Sequence, residues 1–179
     1  MQTVVLQIKD DASVVETALK KAAKQFADGK TKPISFRITQ LKNLKKGLVT
    51  LNNDLVESVR KDLGREQFAT WFSEISLLNT EIDHAVDNLY KWSKGVSVST
   101  PVYLGPACSE VVYEPLGVVG IIGSWNFPIY TCLSPLISAI AAGNTAVIKP
   151  SEIAPNTLLK IKSLLTRSMD MMCFPCIEG

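Results

Sequence analysis

Residues 118–152 read VVGIIGSWNFPIYTCLSPLISAIAAGNTAVIKPSE, and their alternation of patterns decides the fold. Val118-Val119-Gly120-Ile121-Ile122 is a short continuous apolar run, the signature of a strand buried on both faces. Ile129 to Ala142 is long enough for an apolar helix, and Gly143-Asn144 supplies its carboxyl-terminal cap. Thr145-Ala146-Val147-Ile148 is a second buried strand. Beyond Pro150-Ser151-Glu152, residues 156–168 are helical in pattern, and Cys173 to Ile177 has the composition of a third strand. The order β-α-β-α-β predicts an α/β protein holding the first half of a doubly wound parallel nucleotide-binding sheet.

No Asp, Glu, Lys or Arg occurs from Pro115 to Ile148. A membrane helix needs about 20 unbroken apolar residues. Asn126, Pro128, Ser134, Pro135, Gly143 and Asn144 interrupt this run, and strand, helix and strand account for it better.

Upstream the chain is densely charged and helical. Ser13 to Phe26 is rich in alanine and lysine and stops at Asp28-Gly29. After Pro33, the residues Ile34, Ile38, Leu41, Leu48, Leu51, Leu55 and Val59 recur at helical spacing and predict one long amphipathic helix. Lys42, Lys45 and Lys46 fall opposite that stripe and read as a solvated face. From Gln67 to Trp92, Phe68, Trp71, Phe72, Ile75, Leu78, Ile82, Val86 and Leu89 share one side, and the aromatics are expected to pack against a sheet. Residues 94–114 carry β-branched residues, prolines and glycines, and predict irregular or edge strands in a hairpin-like connection. The division is therefore an amino-terminal helical segment (1–93), a connection (94–114) and a partial nucleotide-binding domain (115–179).

The 179 residues are 46% apolar and 20% charged, the profile of a soluble globular protein with a real core. A formal charge of +2 gives no ground for nucleic-acid binding. MQTVVLQIKDD meets two acids too early for a cleavable signal, and the four cysteines follow no disulfide spacing, so a cytoplasmic setting is expected. With one histidine far upstream, Cys173 and Cys176 make a poor zinc site, and no metal is expected. Their C-x-x-C lies in a predicted strand, whereas redox pairs open a helix. Cys132 lies within the apolar helix and reads as an inert buried thiol.

Ligands of open parallel sheets gather at the carboxyl ends of the strands. Ser124-Trp125-Asn126 follows the first strand directly, and Lys149-Pro150-Ser151-Glu152 follows the second. On composition these residues have two readings: a ligand site, or a helix cap at Asn126 with a surface ion pair between Lys149 and Glu152.

EPLGVVGIIGSWNFP followed by PLISAIAAGNTAVIKPSE resembles the aldehyde dehydrogenase superfamily, nearest its class-3 and fatty-aldehyde branch. The resemblance extends through FRITQLKNLKKGL, DLGREQFATWFSEI, EIDHAVDNLYKW and CFPCIEG. It implies that the Asn126 amide donates to the oxyanion formed when a thiolate attacks an aldehyde. It implies that Lys149, Pro150, Ser151 and Glu152 are cofactor-binding residues, with Lys149 and Glu152 at the adenosine ribose of NAD, NADP being possible. It places Ile122, Ser124, Trp125 and Phe127 along the cofactor and substrate channel. The implied substrate is an aldehyde, medium- or long-chain or aromatic, and the implied assembly is a homodimer or a heterodimer with a longer relative.

Family chains are well over twice this length, and none of the four cysteines stands at the nucleophile's position. The resemblance therefore makes these residues an amino-terminal part of the family domain, without nucleophile or general base, inactive alone. Membrane association is expected only through a carboxyl-terminal anchor of the kind fatty-aldehyde relatives carry. Such a half-sheet leaves a strand edge and apolar faces uncovered. The isolated chain is expected to be marginally stable or partner-dependent; a cooperative urea transition of a monomer, independent of protein concentration, would contradict this.

Overall fold

The computed structural model of the chain describes residues 12–178. Its parallel sheet is built from β3 (Val118–Ile122) and β4 (Thr145–Lys149), joined by the helix α6 (Tyr130–Ala142). The register pairs Val118 with Thr145 and Ile122 with Lys149, so both strands end at one edge. The segment expected as a third strand lies beside β4 but forms only an isolated bridge, because Cys173 and Phe174 are still in a turn. Ile148 bridges Cys176 in parallel, and Ala146 and Ile148 N–H groups donate to the Cys173 and Pro175 carbonyls at 3.1 and 2.9 Å. Between them runs α7 (Pro155–Ser168).

Gly143 makes the reversal from α6 into β4 possible. Its φ of +84° is left-handed, and the N–H groups of Gly143 and Asn144 return to the carbonyls of Ile140 and Ala139. Asn144 Oδ1 then accepts the Gly117 N–H at 2.9 Å, tying this turn to the start of β3.

Helices pack on both faces of the sheet, and β4 is the covered strand. On one, α1 (Ala12–Ala27) sets Ala18 and Ala22 against Val147 and Ile177. On the other, Leu133, Leu136, Ile137 and Ile140 of α6 join Ala146 and Ile148 in the main core. That core continues outward into α2 (Ile34–Thr50), α3 (Asn52–Leu63), α5 (Ser76–Trp92) and α7. Between β3 and the helices, the antiparallel pair β1 (Val96–Val98) and β2 (Ser109–Val111) forms the expected hairpin-like connection, with every residue except Ser109 exposed.

Three further expectations need correction. The helix after Pro33 is two helices, because the chain leaves helical geometry at Leu51 (φ −100°, ψ 12°). Asn52, Asn53 and Asp54 follow, and such side chains favour restarting a helix over continuing one. Strand β3 is not buried on both faces: of its five residues only Ile121 is buried, while Ile122 is 80% exposed. It is an edge strand whose outer side carries no neighbour among the described residues. Phe68, Trp71 and Phe72 pack on one another at the surface and not on the sheet. Here the α4 turn (Gln67–Thr70) runs into a π turn (Trp71–Ile75) before α5, which shifts the helical phase and turns Glu74 and Ile75 inward instead. Ile75, Leu78, Ile82 and Leu89 form the buried stripe as expected.

α7 begins without a cap of its own. Asp62, near the end of α3, provides one from a distance. Its carboxylate accepts the Thr157 N–H and hydroxyl, both at 2.7 Å, and the Asn156 N–H at 3.1 Å. A carboxylate at a helix amino terminus gains from both the bonds and the dipole. Asp62→Ala is expected to cost about 1–2 kcal/mol of stability, read as a lower urea midpoint, and Asp62→Asn distinctly less.

Candidate functional site

The sheet's carboxyl edge carries both polar groups singled out in the sequence. Gly123 takes the chain off β3 while its N–H still donates to the Lys149 carbonyl at 2.9 Å. A Cβ on Gly123 would lie 2.1 Å from Cys132 Sγ, so a side chain here would require the buried Cys132 to shift. The turn Ser124–Phe127 follows, exposed throughout, and Pro128 and Ile129 return the chain to the core.

Within that turn the Ser124 hydroxyl donates to Asn126 Oδ1 at 2.6 Å. The Ser124 N–H donates to Thr131 Oγ1 at 3.0 Å, and the Thr131 hydroxyl to the Phe127 carbonyl at 2.9 Å. The amide oxygen of Asn126 is thus engaged, and its NH2 donates to no protein group among the described residues. Asn126 is not a cap of α6; that role belongs to Glu74, whose Oε2 accepts the N–H groups of Ile129 and Tyr130 at 2.8 and 2.9 Å.

Glu74 is fully buried, and its Oε1 meets Arg65 Nη1 at 2.5 Å. Burial pushes its carboxyl above the usual range, against the pull of the two N–H groups and Arg65. Arg65 also donates from Nη2 to the Asn126 carbonyl, and its guanidinium lies over the Phe127 ring, 4.6 Å from the centroid. Neither Arg65 nor Glu74 is among the residues expected from the sequence. One signal was available: Glu74 stands four residues before Leu78, an acid on the apolar stripe of a helix.

One strand away, Lys149 Nζ and Glu152 Oε2 are 2.6 Å apart. The hydrogen bond from Lys149 holds the Glu152 carboxyl below the usual range. The surface-pair reading is therefore realised here, with Glu152 mostly in solvent. Pro150 and Ser151 beneath them are buried, and Ser151 Oγ accepts the Ile153 N–H at 3.3 Å. Ile122, Trp125 and Phe127 are all exposed. A concavity of about 640 Å3 lies elsewhere, at the other end of α6 against Ser138, Ala141, Trp92 and Tyr113.

An open parallel sheet bearing polar turns at its carboxyl edge is the arrangement of nucleotide-binding α/β proteins. The family model described as "Aldehyde dehydrogenase family" matches residues 2–170, and the chain belongs to that family. It is 39% identical to 4,4'-diaponeurosporen-aldehyde dehydrogenase of Staphylococcus aureus over 93% of this chain and 36% of that protein. Aldehyde dehydrogenase family 3 member B2 of Mus musculus is 38% identical, over 92% of this chain and 34% of that one. The solved substrate-bound state of Staphylococcus aureus AldH superposes with a TM-score of 0.90 at 39% identity, covering 92% of this chain and 36% of that chain. The chain thus spans about a third of the length of the relatives it matches.

Among the described residues, no group of three or more His, Cys, Asp or Glu could hold a metal ion, and no helix is long and apolar enough to cross a membrane. Cys132 is buried, and burial first, then the Glu74 charge, pushes its thiol up to about 12. Burial likewise pushes Cys173 up to about 12. The thiol form is favoured by folding, so this contribution is intact below the unfolded thiol's pKa of about 8.5 and is lost as pH rises from there towards about 12. In native protein near pH 8, where a free thiol begins to ionise, iodoacetamide is expected to label the exposed Cys108 and spare Cys132 and Cys173. Peptide mass spectrometry reads this, and in urea all four cysteines should react.

Proposed function

We propose that this chain contributes the oxyanion donor and part of the cofactor site for oxidation of aldehydes to carboxylates with NAD(P). The observation that carries the reading is the Asn126 amide. Ser124 engages its oxygen, which leaves the NH2 as an outward donor at the carboxyl end of β3. Such an amide is neutral at every working pH and stabilises developing negative charge without protonating it. A donor aimed at an oxyanion contributes about 100- to 1000-fold in rate.

The cofactor would lie across the adjacent strand end. Glu152 would accept from the hydroxyls of the adenosine ribose and Lys149 would donate to them, their mutual bond opening to do so. The carboxylate disfavours a 2′-phosphate, hence NAD before NADP. Ile122, Ser124, Trp125 and Phe127 would line the channel, and Pro150 and Ser151 would hold the turn beneath Glu152. The cofactor supplies hydride acceptance; the chain's residues bind and orient. The substrate would be a medium- or long-chain or aromatic aldehyde, handled in a cytoplasmic setting. In this reading the described part of segment 1–93, residues 12–93, is a helical support, 94–114 a connecting hairpin and the described part of 115–179 the partial cofactor domain.

No thiolate for attack on an aldehyde comes from Cys132 or Cys173, which remain protonated, and we assign none to Cys108 or Cys176. By itself the chain should therefore give no NADH above blank. A second reading, a non-catalytic partner of a longer aldehyde dehydrogenase, is favoured by the exposed apolar surface around the hairpin. There Val102, Tyr103 and Leu116 are 96, 85 and 96% exposed. Association with a second copy or a longer subunit would cover it.

A chimera tests the catalytic reading. Residues 12–170 replace the matching segment of the 39% identical Staphylococcus aureus enzyme. The chimera should form NADH with an aldehyde, and Asn126→Ala should lower kcat about 100- to 1000-fold with little change in KM. An active chimera indifferent to Asn126→Ala would refute the assignment, and co-purification of the unaltered chain with a longer subunit would favour the second reading.

A further inference from the structure

The pair Arg65–Glu74 is an expensive feature to bury, and the geometry points to a purpose: we infer that Arg65 and Glu74 are positioning residues for the Ser124–Phe127 turn, and so for Asn126. The inference rests on the oxyanion reading of Asn126 for its catalytic meaning, but its structural content stands apart from it.

Glu74 is held where no water reaches it, on a π turn that interrupts an otherwise regular helix. Single π turns of this kind recur at functional sites. Its two oxygens face different parts of one loop. Oε2 takes the N–H groups of Ile129 and Tyr130, on the far side of Pro128. Oε1 takes Arg65, which carries the connection to the near side: Nη2 donates to the Asn126 carbonyl and the guanidinium plane covers Phe127. One ion pair therefore grips residues 126 and 127 and residues 129 and 130 together. The main chain of Asn126 is fixed from below, while its side chain is turned by Ser124.

Arginine is required for this, because only its planar fork can donate to a carboxylate and a carbonyl at once while stacking on a ring. A lysine in its place would neutralise Glu74 through a single point of contact. That difference separates positioning from mere charge compensation. Surface pairs elsewhere in the chain, such as Glu57–Arg60 and Lys45–Asp83, join exposed helical side chains and grip no loop.

The test uses the full chain labelled with 5-fluorotryptophan, which places a probe at Trp125 within the turn. Its 19F resonance is assigned by Trp125→Phe, and that of Trp92, at the end of α5, serves as the internal control. Arg65→Met and Arg65→Lys should both shift or broaden the Trp125 resonance and leave that of Trp92 in place. Amide exchange at Ile129 and Tyr130 should quicken about tenfold or more in Glu74→Met, as both N–H groups lose their shared acceptor. An unmoved Trp125 in Arg65→Met would overturn the inference. So would a Trp125 restored to its wild-type position by Arg65→Lys, or a Trp92 displaced as much as Trp125. The readout needs no turnover, so failure of the aldehyde chemistry in the chimera and failure of the positioning device remain distinguishable.

Discussion

A buried carboxylate must be met by donors or give up its charge, and the region around Glu74 is organised by that constraint. Burying an isolated ion costs several kcal/mol, and a single partner seldom repays it. Glu74 has three donors: two backbone N–H groups at the start of α6 and the guanidinium of Arg65. The first two are N–H groups that an α-helix cannot satisfy internally, so the acid and the helix terminus relieve each other. Because α6 packs on both strands and on α5, fixing its amino terminus also fixes where β3 must release the chain. The turn bearing Asn126 is the piece of chain left between those two fixed points.

The elements of the parallel sheet were legible because their patterns are local. Strand, helix and strand each differ in apolar period, and Gly143-Asn144 marks the boundary between α6 and β4. The placement of Ser124–Phe127 and Lys149–Glu152 followed from topology alone, since in-register parallel strands bring the chain after β3 and the chain after β4 to one edge. What was not legible depends on contacts distant in sequence. The grip of Arg65 on Asn126 spans 61 residues, and the cap that Asp62 gives to α7 spans 94 and 95. No periodicity encodes either. The aromatic cluster was misread for a related reason. A π turn inserts a residue into the helical phase, and a stripe drawn at a period of 3.6 through Phe68, Trp71 and Phe72 ends on the wrong face.

The two acids flanking the sheet's edge illustrate how environment assigns roles to identical side chains. Glu74 is enclosed and saturated with donors, so it can exchange partners only by disturbing α6. Glu152 is open to solvent and paired with a lysine that is itself only partly covered. An exposed pair of that type is worth little in stability, at most about 1 kcal/mol, and can be traded for hydrogen bonds to a ligand at small cost. Permanence suits a support and replaceability suits a recognition site. Burial alone separates the two.

The same division runs through Asn126 itself. Its carbonyl, a main-chain group, receives the charged donor, whereas its side chain is held by a neutral hydroxyl. Were Arg65 to meet the side-chain oxygen directly, the amide would be polarised and held by a group whose own position depends on Glu74. With the charge delivered to the backbone, the loop is immobilised while the NH2 remains free and neutral. A donor for transient negative charge needs a fixed position, an open hydrogen and no proton to give away. In the role proposed for Asn126, Arg65 with Glu74 would meet the first requirement, Ser124 the second and the amide's chemistry the third.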